Sequence, residues 1–70
     1  MTCELTLRDA RSVARIVNLA HRFNCRCTKI HAAADDDQRT AARMTFDGPP
    51  LALTRLRAQI DRILAYEAVA

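Results

Sequence analysis

The chain opens on an alternation. In TCELTL, Cys3, Leu5 and Leu7 take one side and Thr2, Glu4 and Thr6 the other, the period of a strand with one buried face. From Asp9 the period lengthens: Val13, Ile16, Val17 and Ala20 recur at helical spacing, while Arg11, Arg15, Asn18 and Arg22 fall opposite. That pattern predicts an amphipathic helix from Ala10 to Arg22. Asp9 is its natural N-cap, because a carboxylate there accepts from the free amide groups of the first turn.

The segment CRCTKIHAAADDD follows. Read as a strand, it puts Cys25, Cys27, Lys29 and His31 on one face and Arg26, Thr28, Ile30 and Ala32 on the other. Neither face is clearly apolar, so its inward side stays open. In the third strand Thr40, Ala42, Met44 and Phe46 form an unambiguous inner face, and Asp35-Asp36-Asp37-Gln38 becomes the turn of a hairpin. Asp47-Gly48-Pro49-Pro50, with the only glycine and both prolines, interrupts the chain. Beyond it, Leu53, Leu56, Ile60 and Ile63 predict a second helix from Leu51 to Arg62. In the tail LAYEAVA, Tyr66 and Val69 predict a short fourth strand in preference to a continued helix.

The resulting order, β-α-β-β-α-β, is the ferredoxin-like α+β arrangement. It implies a four-stranded antiparallel sheet with two helices on one face through right-handed crossovers, in a single domain over residues 1–70.

Composition adds the expectation of a partner. A chain of 70 residues buries only about 60% of its unfolded surface, which leaves little stability in isolation. The three cysteines are an odd number, the N-terminus lacks the apolar core of a secretory signal, and no apolar run is long enough to span a bilayer. These features point to a reducing cytoplasm. Ten arginines and one lysine against eight acids give a net charge of +3. Most of the arginines fall on outward helical positions, so the charge reads first as a soluble basic surface and only second as a nucleic-acid site.

Candidate chemistry is thin. Structural zinc uses paired Cys and His spacings with converging ligands, whereas on a strand Cys25 and Cys27 lie about 7 Å apart and His31 about 13 Å further on. Asp35-Asp36-Asp37 lacks the central glycine and the twelfth-position glutamate of a calcium loop, so a solvated turn is the better reading. Neither His21 nor His31 has a nucleophile or carboxylate partner at hand, and no active site is expected. The fold also hosts RNA binders that stack bases on sheet aromatics, but this chain has three aromatics in all and none on the outward face of the third strand. Nor does the first loop, Arg8-Asp9-Ala10-Arg11-Ser12, carry the C-x-x-C of small metal chaperones.

With those classes set aside, three stretches resemble a family: CELTLRDARSVARIV, HRFNCRCTKIHAAADDDQ and LRAQIDRILAYEAVA. Together they look like an ACT domain, and more specifically the small regulatory subunit of acetolactate synthase. His21, Arg22, Cys27 and Ala32-Ala33-Ala34 ahead of Asp36 and Gln38 look most like the isozyme II type. The resemblance implies a non-catalytic, activating subunit in branched-chain amino-acid synthesis, forming a homodimer through the ACT domain. It would bind a large catalytic subunit that carries thiamine diphosphate, magnesium and FAD, with no cofactor on this chain. A free-standing ACT-domain regulator of another enzyme is the alternative.

Valine-sensing members carry an Asn and a Gly in the loop between the first strand and the first helix. Asp9 and Ser12 stand at the matching positions. The candidate effector loop, Asp9, Ala10, Arg11, Ser12 and Val13, is therefore expected to be degenerate: a carboxylate at Asp9 repels an incoming carboxylate, and the side chain of Ser12 crowds a close backbone approach. Activation without valine feedback is the expectation that follows.

Overall fold

The computed structural model describes residues 1–34 and 39–69, and places them in the order β1 (Thr2–Leu7), α1 (Ala10–Arg22), β2 (Arg26–Ala34), β3 (Thr40–Asp47) and α2 (Pro50–Val69). The three strands form one antiparallel sheet in the order β1-β3-β2. β3 is therefore central. Its alternation is complete, with Thr40, Ala42, Met44 and Phe46 buried. On β1 the buried positions are Cys3, Leu5 and Leu7, facing Met44, Ala42 and Thr40 across the ladder. Apart from Thr40, these inner positions join Ile16 and Ala20 of α1 and Leu56 and Ile60 of α2 in one apolar core.

Local chemistry fixes α1 at both ends. Asp9 caps its start, accepting from the Arg11 amide at 2.8 Å. At its exit the Asn24 amide donates to His21 O at 3.1 Å and the Cys25 amide to Ala20 O at 2.9 Å. This pairing is a Schellman motif, and it requires a left-handed residue after the cap. Asn24 supplies it, with φ of 60°. Cys25 then enters the core directly. Gly48 packs so closely over this corner that a Cβ there would lie 3.0 Å from Cys25 Sγ and 3.2 Å from Asn24 O.

Two expectations require correction. First, no fourth strand forms among the described residues: Leu64, Ala65, Tyr66 and Glu67 continue α2, which runs to Val69 instead of stopping at Arg62. The segment contains no breaker and is rich in Ala, Leu and Glu, which favour a helix. Glu67 also falls on the buried face with Leu56, Ile60 and Ile63, so helical continuation brings its carboxylate to internal partners.

Second, the faces of the second strand are not those of simple alternation. Cys27 opposes Phe46, but Lys29 opposes Thr45, leaving Thr28 as an extra residue in a β-bulge. The bulge inverts the pattern beyond it. Ile30, Ala32 and Ala34 oppose Met44, Ala42 and Thr40 on the inner side, and Lys29 and His31 turn outward with Thr45 and Arg43. The expected hairpin turn at Asp35-Asp36-Asp37-Gln38 lies outside the described residues.

Candidate functional site

The β1–α1 junction carries a cap, an ion pair and a buried carboxylate within a few residues of one another. Asp9 is engaged twice, as the helix cap and in an ion pair with Arg11 Nε at 3.9 Å. Ala10 and Arg11 are exposed, and Val13 packs against the core from the edge. Ser12 behaves differently. It is buried, and its hydroxyl donates to Glu67 Oε1.

Glu67 is thus the residue that organises this site, and it stands outside the candidate loop. It is 8% exposed, yet its carboxylate is satisfied, because Oε2 also accepts from the Arg8 amide at 3.3 Å. Burying a carboxylate is costly unless several donors meet it, and a backbone amide, a hydroxyl and the positive end of α1 do so here. A signal for Glu67 was present in the sequence: it continues the Leu56, Ile60, Ile63 spacing onto a charged residue. Assigning the tail to a strand hides that signal.

Beside this contact lies a cavity of about 510 Å³, lined from the β1–α1 side by Arg8, Asp9, Arg11, Ser12 and Arg15 and from α2 by Gln59, Arg62, Ile63, Tyr66 and Glu67. The structure therefore brings Asp9, Arg11 and Ser12 together at one opening. It leaves Ala10 and Val13 out of the lining.

The cysteine and histidine stretch builds no comparable site. The bulge puts Cys27 and His31 on opposite faces of β2, and among the described residues no group of three or more Cys, His, Asp or Glu side chains converges. Cys3 and Cys25 are buried free thiols. Cys27 is partly buried, its thiol directed at Lys29 O at 3.4 Å, and desolvation pushes its pKa above the ordinary thiol value despite backbone hydrogen bonds that favour the thiolate. Outward positions of the sheet include Thr2, Glu4, Lys29, His31, Arg43 and Thr45, with Glu4 and Arg43 paired at 3.8 Å. None is aromatic. No described helix is long and apolar enough to cross a membrane.

Compared with protein-family models, with curated proteins and with solved structures, the chain matches none.

Proposed function

We propose that this chain is a non-catalytic regulatory subunit of the ACT type, activating the large subunit of an acetolactate synthase without valine feedback. The observation that carries the reading is the Glu67 contact at the β1–α1 junction. In an amino-acid-sensing module of this architecture, that junction receives the effector's carboxylate. Here a carboxylate of the chain itself takes the Arg8 amide and the Ser12 hydroxyl, and Asp9 adds a second negative charge beside them. A free amino acid would have to displace the buried Glu67 carboxylate and approach the half-exposed one of Asp9.

The fold supports the reading in its coarser form, α+β with two helices and a three-stranded antiparallel sheet. We take the sheet as ferredoxin-like, with both helices on one face and the edge of β1 in place of a fourth-strand pairing. The opposite edge, β2, is a long exposed strand in which Ile30 is 49% exposed. Such an edge is a template for pairing, and a homodimer through β2 would cover it.

Activation needs no catalytic residue on this chain. A subunit that binds the competent form of its partner about 1.4 kcal/mol more tightly than the slack form raises activity about tenfold. The thiamine diphosphate, magnesium and FAD belong in this reading to the large subunit, in the cytoplasm. Adding the chain to the candidate large subunit from the same cell is the test. A several-fold, saturable rise in acetolactate formation is the expected result, and an unchanged rate would favour the free-standing regulator.

A further inference from the structure

Four guanidinium groups share the lining of the cavity beside Glu67: Arg8 from the β1–α1 loop, Arg11 and Arg15 from α1, and Arg62 from α2. Among the described residues only two acids line it, Asp9 and Glu67, and both are already engaged. Arg11 pairs with Asp9. Among the described residues the side chains of Arg8, Arg15 and Arg62 have no acidic partner. The opening therefore carries a surplus of positive charge, and like charges held around one concavity attract an anion.

The α2 wall adds two apolar surfaces beside Gln59, Arg62 and Glu67. Ile63 and Tyr66 flank Arg62 along α2, and Tyr66 is 75% exposed, its ring free to take a planar group. A single carboxylate would use one guanidinium and leave the rest repelling. Several phosphate oxygens match three, because each arginine presents a planar fork of donors to a phosphate. The volume of about 510 Å³ is that of a small-molecule site.

We propose that this cavity binds an organic polyphosphate of the nucleoside di- or triphosphate class, with its phosphates on Arg8, Arg15 and Arg62 and its base against Tyr66. The Arg8 and Arg11 amides are not part of the site, since Glu67 and Asp9 take them. The inference is independent of the subunit reading and is tested on the chain alone.

Calorimetric titration of the whole chain with ATP, inorganic tripolyphosphate and adenosine separates the contributions. ATP binds at one site per chain, and Arg15→Ala and Arg62→Ala each weaken it about tenfold, the loss expected for a charge-assisted contact. Tyr66→Ala weakens ATP and leaves tripolyphosphate unchanged. Arg26→Ala, on β2 and outside the lining, alters neither. All four side chains are exposed, so circular dichroism should show each variant folded. Absence of ATP binding overturns the proposal, as does adenosine binding as tightly as ATP. An Arg26→Ala loss equal to that of Arg62→Ala also overturns it, because diffuse attraction to a basic surface would then account for the binding.

Discussion

Asn24 holds a left-handed conformation that most side chains resist, and the exit of α1 depends on it. Asn24→Gly should keep stability close to that of the parent, while Asn24→Val should cost about 1–2 kcal/mol in urea denaturation, the penalty of that backbone region. Glu67 is a second residue with consequences beyond its neighbours. Removing it leaves the buried Ser12 hydroxyl and the Arg8 amide without their acceptor, so Glu67→Ala should cost about 1–3 kcal/mol. Urea midpoints of Glu67→Ala and of Tyr66→Ala, its exposed neighbour, would separate this loss from a general effect of altering the last turns. At Cys27 the raised pKa keeps the thiol protonated to higher pH. The stability it contributes is therefore present below the ordinary thiol pKa and fades as pH rises through the folded-state value. Iodoacetamide should label Cys27 before the buried Cys3 and Cys25, with a rate midpoint above that of a free thiol read by mass spectrometry.

At the scale of elements, α2 is where composition and context had to be weighed against each other. Ala65 is an exposed position inside the helix, so Ala65→Pro should remove a backbone hydrogen bond and cost about 3 kcal/mol, with a visible loss of ellipticity at 222 nm. A tail pairing as an edge strand would tolerate the change far better. Four elements were legible because their apolar period was unbroken: β1, α1, β3 and the first three turns of α2 follow directly from Leu5, Ile16, Met44 and Leu56 with their neighbours. The faces of β2 were not legible, because a bulge at Thr28 inverts the alternation and only pairing with β3 reveals it. The tail departs from the expected strand because the strand preferences of Tyr66 and Val69 are outweighed by a partner, Ser12, that lies far away in sequence. At the candidate site, Asp9 and Ser12 were visible from the loop they share, and Glu67 was visible only once its helix was assigned.

As a whole, the described molecule has a small core and a sheet with two edge strands, β1 and the longer, exposed β2. Phe46 and Leu56 are essentially inaccessible, and truncating either to Ala should cost about 2–5 kcal/mol, a large part of what a domain of this size possesses. Association through β2 would relieve that marginality. Sedimentation should then show a concentration-dependent dimer that Ile30→Glu converts to a folded monomer. In the larger assembly proposed above, this chain is an activating subunit whose effector seat is filled by its own Glu67. The most direct test of that role is the rate of acetolactate formation by the large subunit as this chain is titrated in, with and without millimolar valine. The account predicts a saturable rise that valine leaves unchanged; no rise, or inhibition by valine that depends on this chain, would contradict it.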